Sequence, residues 1–314
     1  RRFRRAVGGL RRRPARVSLT TMNREIRLDF RARPSALAFM ARAVRPSPGL
    51  KKSGVPAISA RWRHRVDADE SKRFHALSGL PEGETLPLLY PHTIGFPLHM
   101  TILTQPAFPL PIWRMLQIRN RIVQHAPLPR DAELDITVSI AGHRILEKGA
   151  EFDMHTTVRV GEAVVWESLN TFYARGRFGA PTADSIPEAL KVSPCDTAQW
   201  RMPAGGGWHY GGLSGDYNPL HLWSGYARKH GFARAFLHPQ RVLGQCLAKL
   251  PPLASALPLR LDAWLKGPVF YGEPVSMHRE AVPGGTAFAL HVNEDRRPAI
   301  VGRLYGASAE KPNH

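Results

Sequence analysis

The chain has 314 residues, 43% hydrophobic and 22% charged, a globular composition with room for two domains. Its two cysteines, Cys195 and Cys246, have neither metal-ligand nor disulfide-framework spacing, so a reducing, cytoplasmic setting is expected, and no apolar run reaches the roughly 18 residues of a membrane span. The net charge of +19 suits a polyanionic ligand, but no basic stripe interleaved with aromatics and no recognisable module accompanies it, so no specific nucleic-acid partner is expected.

Residues 1–22 read as a basic disordered tail, with eight arginines and no acid in the first 21 and Met22 as a candidate natural start. Residues 23–178 are expected to form a first unit. "LDFRARPSALAFMARAV" predicts a strand and a covering helix, and Asp67-Ala-Asp-Glu70 is a capping box for a helix through Leu77. "LLYPHTIGFPLHMTILTQP" (88–106) stands where a central helix belongs. Pro97, Pro106, Pro109 and Pro111 are expected to interrupt it and leave it degenerate. In "ELDITVSI" (133–140), Leu134, Ile136, Val138 and Ile140 alternate with polar residues as in a half-buried strand. "MHTTVRV" and "AVVWESLNTFYA" flank a turn at Gly161-Glu162, which predicts a hairpin.

Residues 179–197, small, polar and proline-bearing, read as a linker to a second unit over 198–314. Ala60-Arg-Trp62-Arg with Ser78-Gly79 is echoed by Ala198-Gln-Trp200-Arg with Ser214-Gly215, which suggests a duplication of roughly 120–140 residues. In "GGLSGDYNPLH" (211–221), Asn218 is an N-cap, Pro219 suits the first helical position and Gly231 is a C′ residue, predicting one helix over 219–230. His221 then lies in its first turn and Asp216 just ahead. The positive helix end would favour an ionised Asp216 and a neutral His221, a pair able to hold and deprotonate water, with Gly215 and Asn218 aiming both side chains.

Other readings of these residues stay open. Asp216 and Asn218 can form a bare Asx turn and cap with His221 on the surface. Ser214 could head a triad, although it does not sit in a nucleophile elbow. His221, His230 and His238 have no spacing that fixes them on one face, so no metal is expected. After Pro239, a helix should carry Val242, Leu243, Cys246, Leu247 and Leu250 on one side. Strands follow over 260–267, 273–282, 286–293 and 299–306, two of them joined at Pro283-Gly-Gly285. Each half is thus helices followed by an antiparallel run, an α+β pattern in which a sheet wraps a central helix.

"YGGLSGDYNPLHLWSGYARKHGFARAFLHP" resembles the hydratase motif of the MaoC-like, (R)-specific enoyl-thioester hydratases and dehydratases. Gly215, Asp216, Asn218, Pro219 and His221 match its Ser-Gly-Asp-x-Asn-Pro-x-His core, and Ala227, Gly231, Phe232 and His238 follow in place. The likeness covers most of 198–307, and the first half resembles the degenerate unit of two-unit members. It implies a double hot-dog fold, with two antiparallel sheets each wrapped around a helix and the first half lining an acyl pocket. It implies that Asp216 and His221 are catalytic, adding water to a trans-2-enoyl thioester of coenzyme A or an acyl carrier protein, or running the reverse dehydration. Gly215 and Asn218 would support the pair. No cofactor or metal is implied, and a homodimer is compatible.

One departure bears on the chemistry. The family has His-Gly where this chain has His238-Pro239, and the glycine N–H donates to the thioester carbonyl. Such a donor is worth on the order of 10²–10³ in rate. His238 and the backbone N–H of Gln240, or another first-turn N–H, would then bind the substrate in its place, or the enzyme is slow, or the chain is a catalytically silent acyl-thioester binder. Trp223 would narrow the entrance. Gly79 to His92 spans 13 residues against 23 from Gly215 to His238, so the first half lacks the Asp-x-Asn-Pro-x-His segment and one active site per chain is expected.

Overall fold

The computed structural model describes residues 25–183, 189–252 and 257–306, so the basic tail expected over 1–22 lies outside the described residues. β1 (Ile26–Phe30) and α1 (Ala36–Ala43) form the expected leading strand and helix, and α2 (Leu50–Ser53) follows. β2 (Ile58–Arg65) leads into α3 (Ala68–Ser78), where the Asp67 side chain accepts from the Glu70 N–H at 2.8 Å. Only this half of the capping box forms, because the Glu70 carboxylate accepts from Tyr90 and meets His64 at 2.9 Å instead.

α4 (Tyr90–Leu103) comes next, then four strands: β3 (Met115–Gln124), β4 (Glu133–Leu146), β5 (Gly149–Val160) and β6 (Ala163–Arg175). Leu134, Ile136 and Val138 of β4 are fully buried, as their alternation predicts, and β5 and β6 form the hairpin around Gly161. The second series runs β7 (Asp196–Arg201), α5 (Gly207–Ser214), α6 (Ser224–Lys229), α7 (Pro239–Leu247), β8 (Leu259–Leu265), β9 (Pro274–Val282), β10 (Gly285–Val292) and β11 (Ile300–Gly306).

The strand order is β1-β2-β4-β5-β6-β3-β8-β11-β10-β9-β7. The series β2-β4-β5-β6-β3 and β7-β9-β10-β11-β8 have the same order. They meet where β3 pairs antiparallel with β8, from Arg119 opposite Trp264 to Gln124 opposite Leu259. The fold is an α+β double hot-dog. The two expected sheets are halves of one continuous sheet, because the last strand of each closes the other's open edge. β1, parallel to β2, makes the sheet mixed.

The first central helix corrects the expectation of a proline-broken segment. α4 runs 14 residues with Pro97 inside it, and Pro91 falls in the first turn, where its missing N–H costs nothing. Pro106, Pro109 and Pro111 lie beyond its end. An interior proline costs about 3 kcal/mol, whereas each large apolar side chain fully buried contributes about 1.5–3 kcal/mol. Ile94, Leu98 and Ile102 are wholly buried inside the wrap of the sheet, so burial wins. Among the described residues, no helix is long and apolar enough to cross a membrane.

Candidate active site

α5 ends at Gly215, whose φ of +78° is the left-handed turn that glycine adopts freely and whose N–H donates to the Gly211 carbonyl. The chain then folds on itself through short bonds. The Asp216 N–H donates to Ser214 Oγ at 3.1 Å, the Asn218 N–H to Asp216 Oδ1 at 3.1 Å and the Leu220 N–H to Asn218 Oδ1 at 3.1 Å. The Asx turn and cap are therefore both present, and Asn218 holds Asp216 through its backbone. Ser214 Oγ donates to the Tyr210 carbonyl, which leaves it no triad role.

The helix expected over 219–230 is split. Pro219–His221 is a single 3₁₀ turn, Trp223 is extended and α6 starts at Ser224. Tertiary donors take the carbonyls that would have continued it: the Phe236 N–H reaches the Leu220 carbonyl and the Tyr271 hydroxyl reaches that of His221 at 2.9 Å. Gly231 does end α6 as expected. Its N–H donates to the Arg228 carbonyl and that of Phe232 to Ala227, a Schellman pair.

His221 is held by its other ring nitrogen. Nδ1 lies 3.0 Å from the Phe236 carbonyl, so Nδ1 carries the proton and Nε2 presents a lone pair to Asp216 Oδ2, 3.9 Å away. That gap is too long for a direct bond, and one water oxygen can reach both atoms. The electrostatics differ from a helix-end account. Burial is the largest influence on each group, raising the Asp216 carboxyl above its ordinary value against the pull of His221 and the Asn218 N–H. It lowers the His221 imidazole against the pull of Asp216 and the Phe236 carbonyl. The neutral His221 agrees with the sequence expectation, whereas the shift at Asp216 runs opposite to it, since a 3₁₀ turn is too short to supply a substantial dipole.

Asp216 and His221 open on a cavity of about 520 Å³. Its walls are mostly apolar and come from both halves, with Phe39 and Met40 of α1, Phe96 and Met100 of α4, Phe172 of β6 and Val242 of α7. Trp223, expected at the entrance, is 69% exposed and is not part of this wall.

His238 caps α7, and its Nε2–H donates to the Asp216 backbone carbonyl at 2.9 Å; its ring centroid lies 4.1 Å from that of His221. It holds the loop that carries Asp216 and, contrary to its expected place at the substrate, is not part of the wall of the large cavity. Pro239 does face that cavity, whereas Gln240 lines a second, smaller one behind it. The Arg241 and Val242 N–H groups both donate to the His238 carbonyl, and the Gln240 N–H has no acceptor among the described residues. Asp216, His221 and His238 offer ligand atoms within 4.8 Å of one another, the grouping that could hold a cation, while His230 is exposed and bonded to the Tyr226 carbonyl.

Sequence reasoning missed the groups that fasten the loop from a distance. Tyr271 pins the His221 carbonyl, and the Arg33 guanidinium donates to the Gly212 and Leu213 carbonyls at the end of α5. Neither carries a local signal. Phe236, which sets the His221 tautomer, lies inside the quoted motif and acts through its backbone.

No family model matches this chain. Over 186 residues it is 26% identical to 3-hydroxyacyl-thioester dehydratase X of Mycobacterium tuberculosis, a stretch covering 59% of this chain and 66% of that protein, just under two thirds of it. The crystal structure of HtdX from the same organism superposes with a TM-score of 0.66 at 22% identity, covering 80% of this chain and 99% of that one. A MaoC-like dehydratase from Phytophthora capsici superposes with a TM-score of 0.68 at 16% identity, covering 83% and 99%. At these identities the two structures establish a shared fold.

Proposed function

Because this chain shares its fold with MaoC-like dehydratases and is similar in sequence to a 3-hydroxyacyl-thioester dehydratase, we propose that it is a hydro-lyase acting on acyl thioesters. It interconverts a trans-2-enoyl thioester and water with the (R)-3-hydroxyacyl thioester. The observation that carries this reading is the Asp216 carboxylate and the His221 Nε2 lone pair, 3.9 Å apart, on the wall of an apolar cavity of about 520 Å³.

The pair grips one water between Asp216 Oδ2 and His221 Nε2. His221 takes a proton as the water oxygen bonds to C3, and a proton is returned to C2, so that H and OH add across the double bond and the pair regains its starting charge. Dehydration retraces these steps. The thioester itself acidifies C2, so the proposed chemistry calls on the two side chains alone. The acyl chain lies among Phe39, Phe96, Met100 and Phe172, and the carbonyl lies beside Pro239 at the first turn of α7, so the unengaged N–H of Gln240 would have to reach it from behind that wall. The basic surplus suits the phosphates of coenzyme A or an acidic carrier protein.

Assays of enoyl-CoA hydration with chiral analysis of the product, with Asp216→Asn and His221→Ala as controls, test the proposal. Loss of turnover in both variants is expected, and activity that survives both overturns it. A specific observation favours a second reading: Pro239, with no N–H, faces the cavity where the thioester carbonyl would sit. A silent acyl-thioester binder would bind acyl-CoA without turning over any enoyl substrate.

A further inference from the structure

We propose that one ordered water molecule is a built part of this site, held behind Asp216 by His92, His238 and Gln240, and that His92 acts through it as a positioning residue. The kinetic part of this proposal rests on the hydro-lyase reading; the water site stands without it.

The small cavity behind Asp216 measures about 20 Å³ and is lined by His92, Gln117, Tyr210, His238 and Gln240 among others. A single water needs roughly 10–15 Å³ of such space and two to four polar partners. Three side-chain atoms of the lining residues are fully buried without a hydrogen-bond partner: His92 Nε2, His238 Nδ1 and Gln240 Oε1.

Their hydrogen-bonding characters follow from what each residue's other end does. His238 Nε2 faces the Asp216 carbonyl, which can only accept, so Nε2 carries the proton and Nδ1 is a lone pair. His92 Nδ1 lies 3.3 Å from Asn170 Nδ2, a donor, so Nδ1 accepts and Nε2 carries the proton. Burial keeps both rings neutral, pushing His92 down to about 3 and His238 well below the imidazole range. The Gln240 amide nitrogen points to Gln117 Oε1 at 3.5 Å, leaving Oε1 as an acceptor.

The orphans are thus two acceptors and one donor. A water molecule donates twice and accepts, which is the complementary set. The neighbouring hydroxyls have their own partners: Thr93 Oγ1 donates to the Leu89 carbonyl, Ser214 Oγ to that of Tyr210, and the Tyr210 hydroxyl lies 3.3 Å from Thr93 Oγ1.

The arrangement gives a use to a histidine of the half that lacks the catalytic segment. His92 belongs to α4, the counterpart of α7 in the repeated strand and helix order, and α7 is capped by His238. Water donating to His238 Nδ1 fixes the tautomer whose Nε2–H holds the Asp216 carbonyl, and so fixes the backbone from which the carboxylate projects.

A crystal structure of the full chain at a resolution that shows waters, with ¹⁵N NMR of histidine-labelled protein, tests the site without an assay. A water within hydrogen-bond reach of the three atoms is expected, with the His238 Nδ1 resonance shifting in His92→Phe. In turnover, His92→Phe should lower kcat by about tenfold with KM unchanged, and His92→Gln, which keeps an N–H donor, should recover most of it. A metal ion or no water at the three atoms overturns the proposal, as does a His238 resonance identical in the wild type and His92→Phe. An ordered water in a protein without hydratase activity overturns the hydro-lyase reading and leaves the water site standing.

Discussion

A Cβ on Gly215 would stand 3.0 Å from Cγ of Pro97, so the turn that carries Asp216 is pressed against the proline inside α4. The same glycine has φ +78°. Gly215→Ala is therefore strained in backbone and in space. It should cost about 1–2 kcal/mol of stability from the backbone alone, read by urea unfolding, and lower kcat as Asp216 shifts. Pro97→Ala in the same chain should restore part of the kcat by making room, while the backbone cost remains.

Substitutions of the two residues proposed to be catalytic should separate activity from stability. In the proposed reaction His221→Ala removes the proton acceptor, and it should lower kcat by about 10²–10⁴. Asp216→Asn should be comparably inactive and yet melt higher. A carboxyl whose pKa is raised by burial contributes stability below its unfolded value and loses it as pH rises, so at neutral pH the ionised Asp216 is a burden that the neutral amide removes. Thermal melts at neutral and acidic pH should show the gain at neutral pH shrinking as the solution is acidified.

The pH–rate profile follows from the same shifts. In the proposed reaction the working form has Asp216 ionised and His221 neutral. Burial raises the first group and lowers the second, so kcat/KM should fall on the acid side, with Asp216 the group that sets how early the fall begins. The acid limb should lie above the ordinary carboxylate value. Because the two groups interact, the limb belongs to the pair. A limb at or below the ordinary carboxylate value would contradict burial as the controlling influence.

Pro239→Gly restores an N–H on the wall of the large cavity. If carbonyl stabilisation limits the rate, kcat should rise by about tenfold or more, toward the 10²–10³ worth of such a donor. KM should move little, since the donor acts most strongly on the charge that develops in the transition state. Steady-state assays on one enoyl-CoA suffice to measure both.

The outer part of the cavity sets an expectation about acyl length. Met40 and Trp113 line it while 42% and 52% exposed, so the cavity runs from Asp216 to a rim open to solvent. Each further methylene buried contributes about 0.8 kcal/mol, near fourfold in kcat/KM, until the tail reaches that rim. Ala43→Trp on α1 should shorten the longest chain accepted and leave a four-carbon enoyl thioester unaffected.

Much of the site was legible in the sequence because its instructions act over a few residues. Gly215 can turn left-handed, Asn218 can cap through its own side chain, Asp67 can reach the Glu70 N–H and Gly231 can close α6, each within one turn of chain. The alternation in β4 likewise places Leu134, Ile136 and Val138 on one face whatever they pack against. Distant partners decided the rest. Tyr271 and Phe236 took the carbonyls that would have continued the helix past His221, and the wrap of the sheet carried α4 through Pro97. Burial, which no window of sequence measures, moved Asp216 against the direction its neighbours suggest. Local conformation follows from local bonding, whereas desolvation and competition for backbone carbonyls depend on what the completed fold brings alongside.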